Sequence, residues 1–238
     1  MHIFYTKNIQ GQIGILDEIE SHHCIKVLRL KPGDEVCIVD GIGGFYEGIV
    51  SVPDHKACTI DIKQAKFEYG KRDFHLHIAI APTKNIDRFE WFLEKATEIG
   101  IDEICPIICQ RSERKALRDD RLEKVITSAM KQSLKAYHPV LNHSVSFNDY
   151  VKSHAKTGTR LIAHCMEEEK LELIRIKPQN ADFTILIGPE GDFSAEELQI
   201  AVKEGFIPIS LGNSRLRTET AGVVACQIIS DIMTLREK

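Results

Sequence analysis

The chain has 238 residues, enough to bury a sizeable core in one or two domains. Charged residues make up 28% and hydrophobic residues 43%, the balance of an ordinary water-soluble protein, and no apolar run approaches the ~20 residues that a bilayer-spanning helix requires. A formal net charge of −4 excludes a uniformly basic nucleic-acid coat, and seven cysteines without a Cys-x-x-Cys pair (Cys24, Cys37, Cys58, Cys105, Cys109, Cys165, Cys226) indicate neither a disulfide framework nor a zinc ribbon.

The opening Met1-His2-Ile3-Phe4-Tyr5-Thr6-Lys7 has no signal-peptide hydrophobic region, so a cytosolic protein is expected. Residues 1 to about 70 read mostly as strand. Val36 to Val39, Phe45 to Val52 and Ala57 to Ile62 are short, β-branched or alternating, and separated by glycine, proline and aspartate, which predicts a small β-barrel-like domain. Asp40-Gly41-Ile42-Gly43-Gly44 imitates a dinucleotide loop, but the strand-like Phe45 to Val50 follows it where a helix is needed, so it reads as a hairpin turn. Ser21 to Lys31 carries three cations and two histidines with no acid, either a short RNA-facing helix or a solvated face.

Glu68 to Asp73 reads as a linker, and beyond it strands and helices alternate. Strands are expected at His75 to Ala81, Ile104 to Cys109 and Arg160 to Ala163; helices at Asp87 to Ile99, Arg121 to Ala136, Asn148 to Ala155 and in the charged stretch after Met166. Such alternation indicates an α/β fold with a largely parallel sheet. Thr83 to Arg88, with Glu94, Lys95 and Glu98 behind, is either a site wall at a strand end or an exposed salt-bridged face. Between Gln110 and His138 eight lysines and arginines face four acids, a local excess suited to phosphate contact, although a solvated helix face explains part of it. His75 and His77 share one side of a strand but have no ligand set at metal-like spacing. A Gly-x-Ser-x-Gly elbow and a Walker lysine loop are both absent from the sequence.

The last quarter contains two strand-loop-helix units. Thr184 to Ile187 runs into Gly188-Pro189-Glu190-Gly191, then a capping box at Ser194-Ala195-Glu196-Glu197 opens a helix that stops at Gly205. Phe206 to Leu211 runs into Gly212 and Asn213 to Thr220, ahead of an apolar helix from Ala221 to Leu235. Loops at the carboxyl ends of parallel strands form the ligand crevice of such sheets, and glycine lets backbone approach a flat ligand. The stretch from 186 to 221 is therefore a candidate cofactor cradle, with two ordinary strand-to-helix turns as the alternative. The final helix is apolar around most of its circumference, which predicts one face on its own domain and another on a second subunit.

The run Leu186-Ile187-Gly188-Pro189-Glu190-Gly191, followed by Leu211-Gly212 and Leu216-Arg217-Thr218-Glu219-Thr220-Ala221, resembles the trefoil-knotted (SPOUT) RNA methyltransferases, in particular the small-subunit ribosomal RNA uridine N3-methyltransferases. Glu94 to Gly100, Lys131-Gln132-Ser133 and Val27-Leu28-Arg29 match as well. The resemblance implies a PUA-like RNA-binding β-barrel over 1–70 and a knotted methyltransferase domain over 74–238. It implies a cytoplasmic homodimer that uses S-adenosylmethionine to methylate N3 of a uridine in 16S ribosomal RNA, with no metal. Leu186, Ile187, Gly188, Pro189, Glu190, Gly191, Leu211, Gly212, Leu216, Arg217, Thr218, Thr220 and Ala221 would hold the cofactor. Arg29, Lys84, Arg88, Arg111, Arg114, Lys131, Gln132 and Lys135 would contact RNA. For catalysis the candidates are Arg217, to stabilise charge on the uracil carbonyls, and Glu219, as base or orienter or else only a helix cap. Three residues depart from the family pattern: Asp192 in place of a second glycine, Arg215 in place of an aliphatic residue, and Lys135 in place of arginine. A non-catalytic RNA-binding module and a methyltransferase with another target base are the alternatives.

Overall fold

The computed structural model describes residues 2–153 and 158–236. Its contacts divide the chain into two compact units, Met1–Lys71 with Thr127–His138, and Arg72–Ile126 with Pro139–Lys238.

The first unit is a six-stranded mixed sheet, an open half-barrel. It comprises β1 (Ile3–Tyr5), β2 (Ile9–Gln10), β3 (Ile13–Ile15), β4 (Glu35–Val39), β5 (Phe45–Val52) and β6 (Thr59–Lys66), in the order β1-β4-β5-β6-β3-β2. The first pair is parallel and the rest antiparallel. Phe4, Leu16, Ile38, Val50 and Ile60 fill its interior. The glycine-rich 40–44 segment is the turn between β4 and β5, as expected. Asp40 Oδ1 accepts from the amides of Ile42 (2.9 Å) and Gly44 (2.8 Å), and its Oδ2 accepts from the Tyr46 hydroxyl (2.9 Å). Residues 21–31 are less regular than one helix: α1 (Glu18–His22) passes into a π-helical turn, His23–Val27. That turn buries Cys24 and leaves His22, His23, Lys26, Arg29 and Lys31 exposed.

The second unit is a parallel sheet with helices on both faces. Its strands are β7 (His75–Ile80), β8 (Glu103–Ile108), β9 (Val140–Leu141), β10 (Val145–Ser146), β11 (Thr159–Ala163), β12 (Leu171–Glu172), β13 (Asp182–Ile187) and β14 (Ile207–Ser210). The order is β10-β8-β7-β13-β11-β14-β12, with β9 on β8. Because side chains alternate along a strand, one face of β7 and β13 (Leu76, Ile78, Ile80, Ile185, Ile187) packs under α2 (Ile86–Ile99) and α6 (Thr218–Arg236). The other face (Ala79, Ala81, Leu186) packs under α4 (Phe147–Ser153) and α5 (Ala195–Lys203). Double burial is why Thr184 to Ile187 reads as a continuous apolar run rather than an alternating one. Helix α3 (Asp119–Gln132) crosses the division of the chain at 126/127.

Two expectations need correction. The charged stretch after Met166 is not a helix: Glu167, Glu168 and Glu169 are exposed, and a short β12 and one 3-10 turn, Leu173–Arg175, follow. Lys170 Nζ donates to the carbonyls of His164 (3.2 Å) and Met166 (2.6 Å), which folds the segment back on itself and leaves only Leu173 to be buried. The Arg121 to Ala136 helix ends early, at Gln132, because Leu134 adopts a left-handed φ of 56°. The expected extension of α4 to Ala155 lies outside the described residues.

Candidate active site

Five loops at the carboxyl ends of the parallel strands are tied to one another by side chains. After β13, Gly188 to Asp192 turns tightly, with the Asp192 amide donating to the Pro189 carbonyl (2.9 Å). Glu190 Oε1 accepts from the Lys84 amide in the β7 loop (2.9 Å), and Arg111, after β8, donates to the carbonyls of Gly191 (2.8 Å) and Phe193 (3.3 Å). Arg114 donates to the carbonyls of Thr83 (3.1 Å) and Lys84 (2.7 Å). Asp192 Oδ2 accepts from the Cys165 amide (2.8 Å), which joins the β11 loop to the β13 loop. The Thr218 hydroxyl, at the start of α6, donates to the Gly188 carbonyl (3.0 Å). Ser194 and Glu197 form the expected reciprocal cap, and Glu197 Oε1 also accepts from the Gln110 amide (2.7 Å). A cross-braced set of loops costs little to organise when a ligand arrives, since its geometry exists beforehand.

Four of these loops, those after β8, β11, β13 and β14, line an open cavity of about 800 Å³. Of the residues expected to hold a cofactor, Ile187, Gly188, Pro189, Glu190, Gly191, Leu211, Gly212, Leu216, Arg217, Thr218 and Ala221 line it. Leu186 and Thr220 do not. Leu186 points to the opposite face of the sheet and is buried in the α4/α5 core, as strand alternation requires next to a cavity-lining Ile187. Gly212 has φ +123°, a conformation that L side chains rarely adopt, and a Cβ built there would meet no protein atom within 4 Å. Its backbone therefore presents an uncovered edge to the cavity. Asp192 has φ +63°, which explains why glycine suits the position; its carboxylate bonds to the Cys165 and Phe193 amides (both 2.8 Å) give the aspartate a compensating role.

Arg217 is exposed and lines the cavity, whereas Glu219 does not. The Glu219 side chain is buried, its Oε1 lies 3.9 Å from Arg88 Nε, and its Oε2 has no hydrogen-bond partner among the described residues. Of the cations expected on RNA, Arg111 and Arg114 are bonded to loop carbonyls as above, and Lys84 Nζ pairs with Glu113 (2.7 Å) at an exposed position. In the first unit Lys131 is ion-paired with the buried Glu20, Gln132 is exposed at the end of α3, Lys135 is half-buried, and exposed Arg29 is held at φ +56°.

The sequence reading missed a whole wall: Ala163, His164, Cys165, Met166 and Lys170 also line the cavity, whereas Ser210, Asn213 to Arg215 and Asp192, which line it too, fall inside the expected 186–221 cradle. The sequence predicts the strand ending at Ala163, so the same strand-end rule extended to β11 finds this wall. His75 and His77 both approach Glu103, at 3.8 and 3.5 Å, and no three metal-ligating side chains cluster among the described residues.

Glycine-bearing loops after β13 and β14, the two strands that flank β11 in the parallel sheet, around such a cavity define an α/β protein built to hold a nucleotide-sized ligand against backbone. Known families match two stretches of the chain: an RNA methyltransferase domain matches residues 71–230 and an RNA methyltransferase PUA domain matches residues 16–63. This chain belongs to the RNA methyltransferase family. The ribosomal RNA small subunit methyltransferase E of Mesomycoplasma hyopneumoniae (strain 232) is 30% identical over 228 residues, 94% of this chain and 96% of that one. A crystal structure of a probable rRNA-methyltransferase from Porphyromonas gingivalis is similar at 39% identity with a TM-score of 0.90, covering 99% of this chain and 100% of that one. The ribosomal RNA small subunit methyltransferase E of Neisseria gonorrhoeae, solved bound to S-adenosyl methionine, is similar at 26% identity with a TM-score of 0.87, covering 99% of this chain and 98% of that one.

Proposed function

We propose that the protein is an S-adenosylmethionine-dependent methyltransferase that methylates N3 of a uridine in 16S ribosomal RNA of the small subunit. The observation that carries this reading is the cavity between the Gly188–Asp192 and Leu211–Thr218 loops, whose braced geometry and bare backbone edge at Gly212 suit a flat nucleoside. The donor-bound relative of the same fold supports it. When bound, the donor supplies an electrophilic methyl group on a sulfonium. Residues of the two loops would hold it, and Thr218 keeps the start of α6 against Gly188.

Uracil N3 carries a proton at neutral pH, and as that proton leaves, negative charge spreads to the flanking carbonyl oxygens. Arg217, which is exposed on the cavity wall, would stabilise that charge. Glu219 acts as an orienter through Arg88 rather than as the base, since it stands outside the cavity lining. N3 lies on the pairing edge, so the uridine must be unpaired or flipped out before it reacts. Residues 1–70 serve as the RNA-binding domain, supported by the PUA match, and 74–238 as the catalytic domain. Arg29 and the exposed cations of the 21–31 segment supply phosphate contacts. The insertion of β13 between β7 and β11 supports a knotted path, the apolar composition of α6 supports a homodimer, and the ribosomal RNA methyltransferase relatives support a cytoplasmic location.

The test is incubation with labelled S-adenosylmethionine and small ribosomal subunits from a strain lacking this modification, followed by nucleoside analysis. Label in 3-methyluridine is expected. Label in another nucleoside would identify a different target base, and no donor binding in calorimetry would identify a non-catalytic RNA-binding module.

A further inference from the structure

The β11 wall of the cavity carries a group that the two glycine loops do not explain. His164 follows β11 directly and is only 7% exposed, yet neither Nδ1 nor Nε2 has a hydrogen-bond partner among the described residues. The loop around it is well held. Lys170 bridges the His164 and Met166 carbonyls, and Asp192 fixes the Cys165 amide. A side chain needed only for packing would be leucine or phenylalanine, because unpartnered buried polar atoms are unfavourable and rare.

The surroundings favour the neutral ring: burial first, then Lys170, lower its pKa from 6.5, against smaller opposing effects of Asp192 and Glu168. A neutral imidazole offers one donor and one acceptor, which suits a hydroxyl or a purine edge better than a carboxylate, an ammonium or a sulfonium. A half-turn about χ2, a soft torsion in histidine, exchanges ring nitrogens with ring carbons and brings a nitrogen to whichever ring edge the ligand meets.

We propose that His164 is a recognition residue for the nucleoside half of the methyl donor, its imidazole forming with the ribose or base edge the hydrogen bonds it lacks within the protein. This rests on the donor reading above and deepens it. The full chain and its His164→Leu and His164→Gln variants are titrated calorimetrically with S-adenosylhomocysteine and with 5′-methylthioadenosine, which keeps the nucleoside and lacks the amino-acid chain. His164→Leu is expected to weaken both ligands by the same factor, about tenfold or more, and His164→Gln to recover part of the loss. Unchanged binding of both ligands, or a loss confined to S-adenosylhomocysteine, overturns the assignment alone. Failure of the wild-type chain to bind either ligand overturns the donor reading and the assignment with it. Should the leucine variant not fold, ¹⁵N spectra of the histidine rings in the wild-type chain decide. The His164 resonances must move on saturation with 5′-methylthioadenosine, and static resonances overturn the proposal.

Discussion

At the scale of single residues, the site depends on side chains that brace backbone as much as on those that meet ligand. Asp192 shows this: its left-handed φ is tolerated because its carboxylate accepts two amides. Asp192→Ala keeps a Cβ at that φ and removes both bonds, so a loss of about 1–3 kcal/mol in denaturant unfolding is expected, together with weaker donor binding. Arg217→Ala is expected to lower the rate of methyl transfer by about 100-fold while changing the donor Kd by less than about threefold, as measured by single-turnover kinetics beside calorimetry. His164 gives a pH signature. Its folded-state pKa is lowered, so its stabilising contribution is complete above the usual 6.5 and declines as the pH falls below that value toward the folded-state pKa. Comparing wild type with His164→Leu in chemical denaturation across pH 4.5–8 should show a smaller acid-side decline for the variant.

At the scale of elements, α6 and α2 fit each other at one glycine. A Cβ on Gly222 would meet Phe92 Cε2 at 2.5 Å and Cδ2 at 2.6 Å and Ile80 Cδ1 at 3.0 Å, and both side chains are fully buried. Gly222→Ala is therefore expected to cost about 1–3 kcal/mol by overpacking, read as a lower Tm of the full chain. In the first unit Lys131 joins the end of α3 to Glu20 on α1, and the other oxygen of that buried carboxylate has no hydrogen-bond partner among the described residues. Removing the lysine alone isolates a buried charge, so Lys131→Met is expected to destabilise by about 3 kcal/mol and Glu20→Leu with Lys131→Met to recover most of it. A residue acting only on RNA would change the salt dependence of RNA binding and leave stability intact.

At the scale of the whole molecule, the division of the chain is not a single cut. Residues 127–138 group with the first unit, where Met130 and Ala136 pack in one cluster with Cys37, Val39 and Phe45. A chain of residues 72–238 alone carries that segment without its partners, and exposed apolar surface of this kind promotes association. Such a fragment is expected to melt lower than the full chain and to aggregate in light scattering. The proposed homodimer is tested by the same measurement on the full chain at micromolar concentration, where a monomeric mass overturns it.

Much of this protein was legible in the sequence because local physics fixes it. The doubly buried runs at 76–80 and 184–187, the Ser194–Glu197 cap and the Asp40–Gly44 turn each follow from residue type and spacing within a few positions. Both glycine loops were placed at strand ends for the same reason, and so most of the cavity lining was found. What the sequence could not supply were relations between segments far apart in it. The Asp192 bond to Cys165, the Arg111 and Arg114 bonds to loop carbonyls, the burial of Glu219 beside Arg88 and the ion pair of Lys131 with Glu20 all depend on which strands become neighbours. The β11 wall with His164 joined the site because β11 lies between β13 and β14 in the sheet, a choice made by sheet packing over the whole unit and not by any window of adjacent residues.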